Sequence, residues 1–346
     1  MIDVESFAGT DAASREWDSF VTAQADATGY HLSAWRRVFE DGLAHRCHYL
    51  VARQHGHPIG VLPLVELRSR LFGRALSSLP YVNYGGVLAA SHEAARMLLS
   101  RAEQLARERS LSYVVLRHRQ RRFPHLPART HKVTMTMPLA AERDAMWTAL
   151  DRKVRNQIRK AEKSGLTTRS GGIELLDDFY GVFARNMRDL GTPVYGRSLF
   201  ASILANFPRD AAIHLVVGRD GQTIAGALSY AFGPTIEVPS ASSLREHRPL
   251  CPNHLLYWSV ICQAIADRRT TFDFGRSTPG DGTYHFKEQW GAAPEPLYWE
   301  YRLRDDTDLP DGDRKSPRLA PIIAAWQRLP LAIATRLGPR IARAIP

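Results

Sequence analysis

VARQHGHPIGVLPLV at residues 51–65 and VVGRDGQTIAGALSY at residues 216–230 follow one plan: an apolar strand, a turn containing glycine, and a second strand carrying an isoleucine. The first turn is Gln54-His55-Gly56-His57-Pro58; the second is Arg219-Asp220-Gly221-Gln222, whose Asp-Gly suits a tight hairpin. Helical spacing precedes each hairpin. Residues 11–24 and 33–43 lead into the first, the latter with Ser33 as the expected N-cap, and residues 177–190 and 196–207 lead into the second. Helix 93–109 and strands 113–116 and 133–138 follow the first hairpin, while helix 254–268 and strand 271–274 follow the second. A pattern that recurs in the same order points to two copies of one α/β unit. The length of 346 residues, more than one compact core usually holds, agrees.

Composition narrows the setting. A formal charge of +11 favours an anionic partner: nucleic acid, a phosphorylated substrate or a membrane surface. No helix-turn-helix, zinc-finger or RNA-recognition signature accompanies that charge, so DNA is not expected as a partner. Three scattered cysteines (Cys47, Cys251, Cys262) make no disulfide framework and suit a reducing compartment. The first residues lack the basic and apolar regions of a signal peptide, and no run of about 18 apolar residues suggests a spanning helix. The expectation is a cytoplasmic protein.

The densest chemistry lies at residues 272–291, FDFGRSTPGDGTYHFKEQWG. A β-prone run opens into a loop holding Gly275, Gly280 and Gly282, and an aromatic-Lys-x-x-aromatic-Gly segment follows at once (Phe286, Lys287, Trp290, Gly291). Glycines let backbone approach a ligand closely. Arg276 is a permanent cation, and Lys287 is one that burial can tune. The stretch reads as the floor of a binding site.

Two other segments stand out by charge. In the predicted helix 151–164, Arg152, Arg155, Arg159 and Lys163 fall along one face, either as a solvated surface or as a stripe holding phosphates. Residues 314–346 carry seven Lys or Arg and no acid, with apolar residues and Trp326 between the prolines. That tail suits either the interface of an anionic membrane or packing on the second lobe.

Four motifs carry a family resemblance: Tyr30-His31-Leu32-Ser33-Ala34-Trp35, Tyr81-Val82-Asn83-Tyr84-Gly85-Gly86, RNQIRKAEKSG at residues 155–165, and the segment from Gly275 to Gly291. In this order they resemble the landmarks of the Fem-type transferases, the FemAB-like branch of the GNAT acyltransferase superfamily. The likeness is greatest to FemAB-related proteins of exosortase/PEP-CTERM and exopolysaccharide systems. The resemblance implies an α/β fold of two tandem GNAT-like lobes, each a mixed β-sheet flanked by helices. Residues 1–140 would form the first lobe, 141–165 a basic connecting helix, 166–310 the second lobe and 311–346 a basic amphipathic tail. It also implies transfer of an acyl or aminoacyl group by direct attack of the acceptor, giving an amide or an ester on a cell-envelope glycan, peptide or lipid-linked precursor. No tightly bound cofactor is implied; acyl-CoA or aminoacyl-tRNA would be the co-substrate.

Transfer needs deprotonation of the acceptor, stabilisation of an oxyanion and orientation of both reactants. Lys287 is the first choice for the reaction centre, the alternative being an exposed strand lysine paired with Glu288. Asp273 reads as a general base or as the orienter of Arg276, and Tyr284 as a proton carrier. Gly275, Arg276, Ser277, Phe286 and Trp290 would contact substrate, joined by Arg155 and Arg159 and, from the first lobe, by His31, Trp35, Asn83 and Tyr84. His45, His48, His55 and His57 lack metal-ligand spacing, so no metal is expected. A hydrolase triad lacks its Gly-x-Ser-x-Gly elbow. The Arg/Gln-x-x-Gly-x-Gly/Ala loop of acetyl-CoA enzymes is missing from both halves, as is the helical-hairpin insertion of many tRNA-dependent ligases, which leaves the donor open. The competing reading is a non-catalytic GNAT-like scaffold docked at the membrane in polysaccharide assembly.

Overall fold

The computed structural model describes residues 1–69, 73–304, 309 and 320–345. The chain divides into two compact units, one holding Met1–Lys132 and the other Val133–Glu295. In the first unit the order is β1 (Ile2–Ser6), α1 (Asp11–Thr22), a 3₁₀ turn at Gly29–His31, α2 (Trp35–Leu43), β2 (Arg46–Cys47), β3 (Leu50–Gln54), β4 (His57–Leu62), β5 (Val65–Ser69), β6 (Gly73–Ser77), β7 (Leu88–Ala89), α3 (His92–Glu108), β8 (Tyr113–His118) and β9 (Ala128–Arg129). The second unit runs β10 (Val133–Pro138), α4 (Arg143–Ala149), α5 (Arg152–Lys163), β11 (Thr167–Gly171), α6 (Leu176–Asp189), α7 (Arg197–Asn206), β12 (Ala211–Val217), β13 (Thr223–Phe232), β14 (Thr235–Ser243), α8 (Pro252–Ala266), β15 (Thr271–Asp273), α9 (Gly282–Glu288) and β16 (Ala293–Pro296). Strand β17 (Tyr298–Leu303) then belongs to the first unit, and α10 (Ala320–Gln327) and α11 (Leu331–Ala342) belong to the second.

The first unit contains a sheet in the order β1-β3-β4-β7 and another in the order β2-β5-β6-β8-β17-β9. Both expected hairpins form. His55 and Gly56 both have positive φ, 51° and 82°, and Gln54 pairs with His57, so a two-residue turn joins β3 to β4. Helix α3 buries Ala94, Ala95, Leu98, Leu99, Ala102 and Ala106 against Leu50, Leu62, Leu64 and Val114, with each leucine contributing roughly 1.5–3 kcal/mol. Ser33 does not cap α2. Its backbone N and Oγ donate to Asp18 at 2.7 and 3.0 Å, and the helix starts at Trp35 after Ala34.

β17 lies between β8 and β9, although the main segment of the second unit, Val133–Glu295, precedes it in the chain. Its Glu300 is fully buried and accepts from His118 Nδ1 at 2.6 Å, Phe123 N at 2.6 Å and Arg122 N at 3.1 Å. These bonds hold the carboxyl below the usual carboxylate range against the effect of burial.

In the second unit one sheet runs β11-β12-β13-β14-β15-β10-β16. Its core joins Val154, Ile158 and Ala161 of α5 to Leu255, Leu256, Val260 and Ile261 of α8 and to Phe272 and Phe274. Asp151 caps α5 by accepting from Lys153 N at 2.7 Å. Among the described residues each unit has a parallel strand pair joined through a helix, β6 with β8 in the first and β14 with β15 in the second. The β14–β15 ladder covers Thr235–Glu237 and ends at Glu237↔Asp273, whereas β14 stays paired with β13 as far as Ser243. Two neighbouring strands therefore part where acidic residues sit.

Candidate active site

The second unit builds a site at the end of β15. Phe272 and Phe274 turn into the core with their rings 4.6 Å apart, which sends Asp273 to the opposite face. One carboxylate oxygen of Asp273 accepts from Thr134 Oγ1 at 2.8 Å and from Gly275 N at 2.7 Å. Gly275 has φ 72°, a left-handed conformation that bends the chain away from the strand. Ser277 then bridges to Val133 through two backbone hydrogen bonds, and among the described residues its buried Oγ has no hydrogen-bond partner.

The residues after this loop do not continue as a strand, contrary to the alternation expected for Tyr284 to Lys287. They form the short helix α9, because Asp281 and Gly282 begin a helical turn that Gly291, at φ 85°, follows. On that helix Phe286 faces an aromatic group with His254, Tyr257 and Trp290, at ring distances of 5.1 to 6.2 Å. Burial keeps His254 neutral, its pKa lowered to about 4.

Lys287 is 6% exposed, and its Nζ donates to Gly275 O at 2.8 Å and Arg276 O at 3.1 Å. Among the described residues those two carbonyls take two of its three donors. Desolvation lowers its pKa to about 8, opposed by Asp273 and Glu237 and assisted by the Arg276 guanidinium. Lys287 is thus buried and bonded to backbone, not exposed and paired with Glu288; that carboxylate takes His285 Nδ1 at 2.9 Å. Tyr284 lies on the same helix, its pKa raised by desolvation and by Glu288.

Glu237 was not legible as a site residue. It is buried beside Asp273 in the parallel register. Pro234 and Pro239 obscure β14 in the sequence, and the available signal was an acid flanked by Ile236 and Val238.

The basic stripe is present on α5 of this unit. Arg152, Arg159 and Lys163 are exposed, Arg155 is half-buried with its Nε unpartnered, and Arg159 lies 5.3 Å from the Trp147 ring. Gln157 on α5 accepts from Cys251 Sγ, just ahead of α8, at 2.6 Å. The chain from β14 to α8, LREHRPLC at residues 244–251, contains no glycine.

His31, Trp35, Asn83 and Tyr84 are all buried in the first unit. His31 accepts from Thr28 N through Nδ1 and donates to Gly86 O through Nε2, at 3.1 and 3.2 Å; burial lowers its pKa to about 4. It does not share a continuous helix with Trp35, because Leu32 is extended between the 3₁₀ turn and α2. Trp35 packs on Tyr30 and Phe39, and Arg119 lies over the Tyr84 ring at 5.4 Å. Of the first unit's histidines, His45 pairs with Tyr81 OH and His48 with Glu66.

Residues 149–288 match the family described as Acetyltransferase (GNAT) domain, a span shorter than half the chain that runs from the end of α4 to the end of α9. The structure resembles that of FemX, with a TM-score of 0.65 and 17% identity over 85% of this chain and 96% of that one. The fold is a tandem GNAT fold. A tandem GNAT protein from the clavulanic acid biosynthesis pathway matches with a TM-score of 0.59 and 12% identity, covering 89% of this chain and 100% of that one. L-PGS from Bacillus licheniformis gives 0.55 and 11%, covering 91% and 97%. No curated protein matches the sequence.

Proposed function

We propose that this protein is an acyl or aminoacyl transferase of Fem type that forms an amide on a cell-envelope or exopolysaccharide precursor, with an ester as the alternative product. The observation that carries the reading is Lys287, a buried cation on the Gly275 and Arg276 carbonyls beside two buried carboxylates. The GNAT match across residues 149–288 and the likeness to FemX support it.

The acceptor amine attacks the donor carbonyl carbon, and a C–N bond forms as the carbonyl π electrons move to oxygen. That oxyanion takes the third N–H of Lys287, which burial makes a stronger electrostatic partner than it would be in water. Collapse re-forms the carbonyl and expels the thiolate of acyl-CoA, or the ribose oxygen of a charged tRNA. Glu237 receives the proton released by the amine, while Asp273 fixes the loop through Gly275 and Thr134. Arg276, Ser277, Phe286 and Trp290 contact substrate, Tyr284 carries a proton near the loop, and the α5 arginines Arg155 and Arg159 hold donor phosphates. On the first unit, His31, Trp35, Asn83 and Tyr84 remain proposed substrate-binding residues. Attack is direct, without a covalent enzyme intermediate.

The family description supports acyl-CoA as donor. Aminoacyl-tRNA is the second donor to try. Thermal unfolding with acetyl-CoA, longer acyl-CoAs and charged tRNA tests the assignment, since a ligand of the native state raises its melting temperature. One donor class should stabilise the protein, less so in Lys287→Ala. Stabilisation by none of them, or equal stabilisation of the variant, would overturn it.

A further inference from the structure

Helix α11 has two unlike faces. Ala334, Gly338 and Ala342 are buried, and a Cβ on Gly338 would lie 2.7 Å from Val194 Cγ1, so small residues bring this helix close to the second unit. On the other side Ile333, Leu337 and Ile341, at i, i+4 and i+8, are 43%, 40% and 39% exposed. Arg336 and Arg340 are exposed beside that line. On α10, Trp326 is buried while Ile322 is 63% exposed, and Arg328 is exposed just beyond it. Residues 320–345 contain no Asp or Glu. On α6, against which both helices pack, Asp189 is held by Arg188 at 2.7 Å. The part of the basic tail before Ala320 lies outside the described residues.

A water-facing side of a helix is normally polar, and a line of large apolar side chains whose charged neighbours on the helix are arginines is not. We propose that the outer face of α10 and α11 docks on an anionic lipid bilayer. Ile322, Ile333, Leu337 and Ile341 enter the boundary between headgroups and acyl chains, and Arg328, Arg336 and Arg340 meet the lipid phosphates. Twelve residues of α11 measure about 18 Å, which suits lying in the interface. No described helix is long and apolar enough to cross a membrane. Charge decides against a second copy of this chain as the occupant, because a two-fold contact through this face would set its arginines against one another. The small-residue face packs on the second unit, and under this proposal the opposite face is the one that meets lipid. The proposal does not depend on acyl transfer.

Flotation of the full chain with vesicles of phosphatidylcholine, with and without phosphatidylglycerol, tests it. The protein should float with the anionic vesicles only, and added salt should release it. Replacing Ile333, Leu337 and Ile341 together by Ser should cut binding at least about tenfold. Replacing Arg336 and Arg340 by Ser should cut it about 25-fold, at about fivefold per arginine. All five positions are exposed, so melting temperatures should stay near that of the parent; if the triple variant fails to fold, Ile322→Ser alone should weaken flotation. Failure to float, binding unchanged in both variants, or a self-associated chain that the apolar variant turns monomeric would each overturn the proposal.

Discussion

Lys287 reaches its position through an aromatic neighbour. Phe286 and Trp290 pack with Tyr257 and His254, and α9 between them places the lysine ammonium under two carbonyls. Its pKa of about 8 makes the proposed role testable by pH. As an oxyanion partner Lys287 acts when charged, so transfer should persist below pH 8 and decline as pH rises through it; a rate that rises through pH 8 would make Lys287 a base instead. Lys287→Met should lose about 10²–10³ in kcat, and Lys287→Arg should recover little, because the guanidinium does not fit the two-carbonyl cradle. Glu237 raises the pKa of Lys287, so Glu237→Gln should move the alkaline limb to lower pH as well as slow transfer. Stability carries the same signature with its own sign. The unfolded lysine titrates near 10.4 and the folded one near 8, so the unfolded chain binds more protons between them. Thermal stability of the parent relative to Lys287→Met should therefore rise between pH 8 and 10.

At the scale of elements, Gly275 is the joint of the site. Alanine there would have to adopt φ near 72° and would move the carbonyl that Lys287 holds. Gly275→Ala should cost about 1–2 kcal/mol of stability, read by denaturant unfolding, and reduce activity beyond that loss. Helix α5 makes a separate prediction: Arg155→Ala and Arg159→Ala should each raise the donor KM and flatten its salt dependence, with kcat little changed. The sequence showed α5 clearly, since Val154, Ile158 and Ala161 recur at helical spacing behind an Asp cap. The 282–288 segment was not legible as helix, because seven residues hold too few turns to show a period and three are aromatic or β-branched. β14 hid behind its two prolines, and Glu237 with it. The aromatic-Lys-x-x-aromatic-Gly pattern still located the lysine, as a spacing that suits a turn of helix as well as a strand.

Across the whole molecule, the recurring hairpin plan revealed the doubled α/β architecture, and the structure confirms a tandem GNAT fold. The strand order was beyond reach, because β17 joins the first unit's sheet only after the second unit's sheet is complete. Nothing local in YWEYRL names its partners; the fixing contacts are long-range, from Glu300 to His118, Arg122 and Phe123. Glu300→Gln should therefore destabilise the first unit by about 2–4 kcal/mol, and the parent should lose this contribution as pH falls through the depressed carboxyl pKa. The proposed chemistry is transfer of an acyl group by the second unit under Lys287. Its most direct test is transfer of label from an isotopically labelled acyl-CoA or aminoacyl-tRNA into an envelope-precursor extract, by the parent and by Lys287→Met. The parent should give a labelled, hydroxylamine-stable amide and the variant almost none. Equal labelling by both proteins, or labelling by neither with any donor, would contradict it.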